Sequence, residues 1–329
     1  LKSWDSQDDT PLGHVVKVLG QEGDNDVEMH AILAEYGLPL EFPPEVEQEA
    51  KQFTPSAKSK AGLDKKEIAK RRDMRDVLTM TIDPVDAKDF DDALSLQKLK
   101  NENFEVGIHI ADVSYYVKPG SAIDDEAISR ATSVYLVDRT IPMLPEVLSN
   151  DLCSLRPNED KFAFSAVFEM DEEANVINEW FGRTVIHSDR RFAYEDAQVR
   201  LETGEGDLAD ELALMFKLAT KLRENRFENG GIDFNTEEVR FELDKSGKPL
   251  RVVIKRMRES NKLIEDFMLL ANVRVARFLA KVHPEKKTPT RTSIYRVHDN
   301  PDPEKLKALR VFVRRFGHEM PKPQKGNAE

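Results

Sequence analysis

Residues 81–95 read TIDPVDAKDFDDALS, and five aspartates fall within ten positions of it: Asp83, Asp86, Asp89, Asp91 and Asp92. Two carboxylates about 4 Å apart repel by roughly 4 kcal/mol at a surface-like dielectric. A chain that gathers several needs a metal ion, a cluster of Lys and Arg, or open water to hold them. VLTMTID, ending at Asp83, reads as a strand that runs into a turn at Pro84, and DALSLQKL reads as the next strand. If residues 89–92 are extended, Asp89 and Asp91 share a face, and a turn between adjacent strands can return that face to Asp83. Hard oxygen donors then converge, which suits Mg²⁺ or Mn²⁺. The spacing is wrong for an EF-hand and its glycine is missing, and the chain has no His/Cys spacing for zinc. An ordinary solvated turn stays open as a reading, although apolar strands flank this one on both sides. Two ions about 3.5–4 Å apart can clamp the attacking and leaving oxygens of a phosphoryl transfer, and four aspartates suit two such ions.

Outward from this loop the pattern is mixed. GHVVKVLG (13–20) alternates like a strand closed by Gly20, and DVEMHAILAEYGL reads as a short helix ending near Gly37. PLEFPPEVEQEAKQF gives an extended Pro segment and a second helix. Residues 55–76 are polar and charge-rich, a linker with a helix at 64–73. FEVGIHIADVSYYV reads as a strand and DDEAISRATSVY as a helix, while FAFSAVFEM and INEWFGRTVIHS pair around DEEAN. DLADELALMFKLATKLRENRF is a long helix, VRFELDKSGKPLRVVIK a hairpin turning at KSGK, and NKLIEDFMLLANVRVARFLAKV the longest helix. Strands joined by hairpins and separated by helices indicate an α+β fold.

The 329 residues are 40% hydrophobic and 33% charged, with a net charge of −12, which argues against a uniformly basic nucleic-acid binder. The charge is uneven. Residues 251–329 hold 19 Lys and Arg against 9 Asp and Glu, a net of +10, which leaves −22 on the first 250. A basic third beside an acidic cluster could hold a polyanion while a metal acts on it, or could be a set of solvated helix faces. No apolar run is long enough to span a bilayer and no signal peptide opens the chain. The lone Cys153 excludes a disulfide framework and favours a reducing, cytoplasmic setting. The opening at Leu1 and the close in PKPQKGNAE give the expectation of a piece of a longer protein.

T-I-D-P-x-D-A-x-D-F-D-D-A resembles the signature of the ribonuclease II/ribonuclease R family, in its RNB catalytic domain. VGIHIADVSYYV (106–117), RATSVYLVDRTIPMLPEVLSNDLCSLRPNEDKFAFS (130–165), ESNKLIEDFMLLAN (259–272) and YRVHD (295–299) look like further blocks of that domain in matching order. The resemblance covers about residues 76–316 and is closer to bacterial ribonuclease R than to ribonuclease II. It implies a largely antiparallel RNB-type core with flanking helices. Residues 1–45 would be the tail of a cold-shock (OB) domain with its connector, 46–75 a charged helical linker, and 76–329 the N-terminal part of the RNB domain.

The same resemblance implies processive 3′-to-5′ hydrolysis of single-stranded RNA to nucleoside 5′-monophosphates, with Mg²⁺, or Mn²⁺, as cofactor. Asp83, Asp89, Asp91 and Asp92 match the metal-binding aspartates, with Asp91 the one most directly tied to cleavage. Asp86 falls outside that set, as turn chemistry or a supporting contact. Tyr135 and Phe234 resemble the pair that clamps the terminal bases, and Glu265 a glutamate that contacts RNA near the site. Read without the resemblance, Tyr135 belongs to a core and Glu265 to an ion pair with Lys262 or Arg258. Cys153 and His109 read as packing residues. The family's later S-P-I-R-R-Y block is absent, and VFVRRFG (311–317) is not its equivalent. Three readings follow: an exoribonuclease domain, an RNA- or partner-binding module without catalysis, and a structural Ca²⁺-binding protein.

Overall fold

A computed structural model of the chain describes residues 10, 13–15, 18–21, 23–53, 63–232, 238–244, 247–280, 294, 297 and 299–320. It divides into two compact units, Leu1–Val275 and Ala276–Glu329. The first opens with helices α1 (Asn25–Glu35), α2 (Pro44–Gln52) and α3 (Lys65–Ile68) and the short strand β1 (Arg72–Met74). Strands β2 (Thr79–Asp83), β3 (Asp92–Lys98) and β4 (Phe104–Ala111) follow, then α4 (Val113–Tyr116), α5 (Ala122–Arg130) and the small ribbon of β5 (Val134–Tyr135) with β6 (Thr140–Ile141). After a π-helical turn at Val147–Leu152 come β7 (Asp160–Met170), β8 (Val176–His187), β9 (Arg190–Ala193), α6 (Tyr194–Thr203) and α7 (Ala209–Glu228). A separate hairpin of β10 (Glu238–Leu243) and β11 (Pro249–Lys255) precedes α8 (Glu259–Ala280). In the second unit the described element is α9 (Pro303–Arg314), capped by the Asp302 side chain on the Glu304 and Lys305 amides.

Seven strands form one sheet in the order β1-β8-β7-β4-β3-β2-β9. Its central pairs are antiparallel, while β1 joins β8 and β9 joins β2 in parallel. Both faces carry a packed apolar cluster in the middle of the sheet, while polar residues and one open row remain toward the strand ends. On one face Leu94, Ile108, Ala166 and Phe168 pack with Leu212 and Met215 of α7 and Leu263 and Phe267 of α8. On the other, Ala93, Ala163 and Val167 pack with Val46 of α2, Ile123 of α5 and Leu148 of the π turn. The expected α+β class and largely antiparallel core are what the structure contains.

Three local expectations are corrected. The linker helix stops at Ile68, and residues 72–74 instead form β1, because pairing with β8 satisfies backbone groups that a polar sequence could equally have left to water. The strand beginning at Phe104 ends at Ala111, and VSYY turns helical so that Tyr115 and Tyr116 can pack edge-on against Phe162 and Phe53. Residues 13–15 and 18–20 carry no strand. YRVHD falls mostly outside the described residues, as does part of the KSGK turn.

His109 is sealed in the sheet, its ring bridging Ser165 Oγ at 2.6 Å and Ser95 Oγ at 2.8 Å. Burial, with Arg72 nearby, pushes its pKa down to about 3, so it stays neutral and structural. Cys153 is buried and packs, as expected. Gly107 makes room for this network: a Cβ there would meet Ser95 Oγ at 2.3 Å and His109 Nε2 at 2.6 Å. Gly107→Ala is therefore expected to destabilise the fold by about 1–3 kcal/mol through overpacking, read as a lower urea midpoint. An unchanged midpoint would mean that the network yields freely.

Candidate active site

The five aspartates lie where β2 ends and β3 begins. Asp83 closes β2, beside Ala193 of β9, and that ladder delivers Tyr194 to the site. Asp92 opens β3, opposite Ile110 of β4. Between them residues 87–91 belong to no strand, and hydrogen bonds pin the chain. The Ala87 amide donates to the Pro84 carbonyl at 3.1 Å, closing a turn. The Phe90 amide donates to Ser154 Oγ at 2.9 Å, and the Ser154 hydroxyl donates to the Lys88 carbonyl at 3.0 Å. Leu155 and Ala111 donate their amides to the Phe90 and Asp91 carbonyls at 2.8 and 2.9 Å. So Asp89 and Asp91 lie before the start of β3 rather than within a strand. Their directions are set by contacts with Ser154 and Leu155, more than sixty residues away in sequence, which strand periodicity does not encode.

Burial pushes the Asp83 carboxyl up to about 7, opposed by the Thr81 hydroxyl beside it and by Arg191, with Asp92 and Asp91 adding to the rise. Burial and then Asp91 raise Asp92 to about 6. Asp91 reaches solvent, yet enough protein surrounds it that burial, and then Asp89, shift it upward. Mutual coupling thus ties all four residues together. Asp86 is paired with Arg240 of β10.

Arg191 is a second cation at this turn. Its Nη2 donates to the Pro84 and Val85 carbonyls at 2.7 and 3.0 Å, and its guanidinium lies 5.6 Å from the Phe90 ring centroid. Tyr194 is raised to about 12, by burial and then by Asp83 and Asp92. Sequence reasoning passed over both residues. RRFAYEDAQ shows only a short strand-like run leading into an acidic helix start, with nothing that marks either residue for this site.

Tyr135 is 70% exposed on β5, and partial burial, then Asp89 and Asp91, raise the pKa of its hydroxyl. It therefore stands at the carboxylates rather than in a core. Glu265 is half-exposed on α8 and its ion-pair partner is Arg226 at 3.9 Å, while Lys262 pairs with Glu259. Phe234 lies outside the described residues.

Among the described residues, no group of three or more His, Cys, Asp and Glu side chains closes into a ready metal cage. The donor set nonetheless suits a hard cation. Asp83 Oδ2 is buried with no hydrogen-bond partner, and its neighbours are carboxylates that raise one another's pKa. Buried acceptors left without a donor call for an ion or water, and a divalent ion would relieve both the missing contact and the repulsion.

The RNB domain profile matches residues 71–327, most of the chain and all of this site. The chain belongs to the RNB-domain family. A cold shock domain profile matches residues 1–43. Among relatives of this RNB chain, the exosome complex exonuclease dis3 of Schizosaccharomyces pombe is 39% identical over 94% of the chain and 32% of its own length. Ribonuclease R of Thermotoga maritima is 39% identical over 96% of the chain and 44% of its own length. Mycoplasma genitalium RNase R, solved in complex with ribose-methylated single-stranded RNA, superposes with a TM-score of 0.79. It is 28% identical, over 94% of the chain and 47% of that protein. The chain thus spans 32–47% of the length of these relatives.

Proposed function

We propose that this RNB chain carries the hydrolytic site of a processive 3′-to-5′ exoribonuclease that acts on single-stranded RNA and releases nucleoside 5′-monophosphates in a reducing, cytoplasmic setting. One observation carries the reading: in an RNB fold, a buried Asp83 and a half-buried Asp92, both with raised pKa values, stand at the end of β2 and the start of β3, near an exposed aromatic ring. Asp83, Asp89, Asp91 and Asp92 would hold Mg²⁺, or Mn²⁺, and a pair of such ions would supply hydroxide at neutral pH and take up charge on the leaving oxygen. Tyr135 offers a ring face to a terminal base. Stacking accepts any base, as an enzyme that digests any sequence requires. Phe234 is proposed for the other side of that base and Glu265 for a contact to the RNA nearby. No helix among the described residues is long and apolar enough to cross a membrane.

A non-catalytic, RNA-binding reading has the open arrangement of the carboxylates on its side. Mononucleotide release from labelled single-stranded RNA in Mg²⁺, Ca²⁺ and EDTA separates the two. Release in Mg²⁺ alone supports hydrolysis, whereas binding without release in any condition supports the module.

Arg191 gives a test in which two effects have opposite signs. Removing a cation next to carboxylates should strengthen metal binding by Coulomb's law. Removing the clamp on the Pro84 and Val85 carbonyls should weaken it, since partners that orient metal ligands are typically worth 10–100-fold in affinity. Arg191→Met is expected to bind Mn²⁺ about 10-fold more weakly, measured as free Mn²⁺ by electron paramagnetic resonance. Tighter binding would show that charge outweighs positioning.

A further inference from the structure

One row of residues crosses four strands in register. Asp92 of β3 pairs with Ile110 of β4, Ile110 with Phe164 of β7, and Phe164 with Arg183 of β8. Directly paired residues project from the same face of a sheet, so these four side chains form a line that starts at the carboxylate site. At strand spacings of 4.7–4.9 Å the line is roughly 14 Å long.

Two residues inward on each strand, the same face is core: Leu94, Ile108, Ala166 and Phe181 lie against the helices. The outer row is open instead, with Ile110 43%, Phe164 49% and the Arg183 side chain 49% exposed. A strand sequence such as KFAFSAVFEM gives no reason for its second phenylalanine to be left half in water. The ring has no ring partner among the described residues.

The far end of the row is cationic. Asp112 is buried and already taken by the buried Arg71, Nη2 to Oδ2 at 2.7 Å. Arg183 reaches the same oxygen only through Nε, at 3.5 Å. Among the described residues this is its sole contact, so its two terminal nitrogens are available to an anion. An exposed ring next to an exposed guanidinium, continuous with a carboxylate site, presents a stacking face and an anion contact one strand apart.

We propose that the Ile110–Phe164–Arg183 row is a binding surface for single-stranded RNA, one base stacked on Phe164 and one phosphate held by Arg183, on the strand that leads to the Asp83–Asp92 site. This rests on the nucleolytic reading above, and it adds a contact surface separate from Tyr135, Phe234 and Glu265. In this order the guanidinium lies farthest from the carboxylates, where it does not pair with them in place of an ion.

The test is fluorescence anisotropy of labelled oligoribonucleotides in EDTA, across a salt series, with Phe164→Ala, Arg183→Met and Arg183→Lys. Phe164→Ala is expected to weaken binding at least roughly five-fold, the low end for one stacked base, without changing the salt slope. An abasic nucleotide at the contacted position should abolish that difference. Arg183→Met is expected to lower the slope of log affinity against log salt by about 0.7, the value for one phosphate on a single strand, and Arg183→Lys to keep it. Both residues are half-exposed, so melting curves should match the parent. If the parent binds no RNA at all, the nucleolytic reading itself fails. If the parent binds and neither substitution changes affinity, the surface is overturned. If Phe164→Ala instead changes the sedimentation of the chain and leaves RNA affinity intact, the row is a protein contact, which also overturns it.

Discussion

Asp91→Asn is expected to reduce mononucleotide release by at least 10²–10³-fold, the range for losing one electrostatic stabiliser at a reacting centre, while RNA affinity stays the same or rises slightly. Asn is nearly isosteric, and the Asp91 backbone keeps its bond to the Ala111 amide at 2.9 Å, so the loop should hold its course. The lost charge is one that Asp89 and burial already disfavour, which means its removal relaxes the unliganded site. It also removes repulsion with an RNA phosphate. Binding rests on many phosphate and stacking contacts, so one carboxylate contributes little to it. Asp86→Asn is the control, because Asp86 faces Arg240 rather than the cluster. Release assays and filter binding at fixed salt measure both variants. Equal loss of activity in the two would mean an undifferentiated acidic patch, and the assignment of separate roles would fail.

The fold was legible wherever the strand and helix periods were strong. FAFSAVFEM and INEWFGRTVIHS pair as read, around Asp171–Asn175, and NKLIEDFMLLANVRVARFLA lies in α8, the longest helix among the described residues. Residues whose conformation depends on distant partners were not legible. Arg72–Met74 became a strand because β8 was there to pair with, and DFD is held by Ser154 and Leu155. At the site, composition and spacing singled out the aspartates, since acidic residues so dense demand a counter-charge. Arg191 and Tyr194 carry no such density. They join the site only because β9 docks in parallel beside β2, a pairing that no local pattern announces.

Asp83→Asn is expected to stabilise the metal-free protein at pH 8 and destabilise the metal-loaded protein at the same pH. Asp83 titrates near 7 and Asp92 near 6, against an ordinary value of 3.8. Between about pH 4 and pH 7 the native state therefore holds protons that the unfolded chain has released. Stability falls with rising pH wherever the native state binds more protons, so the parent loses stability across this window and stays low above it. A shift of about three units at 1.36 kcal/mol each sets an upper bound near 4 kcal/mol, and because the two acids are coupled the loss belongs to the pair. Asn at position 83 neither titrates nor repels Asp92. The variant should exceed the metal-free parent by about 2 kcal/mol at pH 8, and the gap should close toward pH 4, where the parent's carboxyl is protonated too. Mn²⁺ reverses the comparison: an ion at 100 times its Kd stabilises the native state by about 2.7 kcal/mol, and the variant has lost the buried ligand that earns most of it. Urea unfolding in EDTA and in Mn²⁺, at pH 4, 6 and 8, checks every sign. A gap that ignores pH would show that Asp83 is not held protonated by its surroundings, and a gap that ignores Mn²⁺ would show that it does not hold the ion.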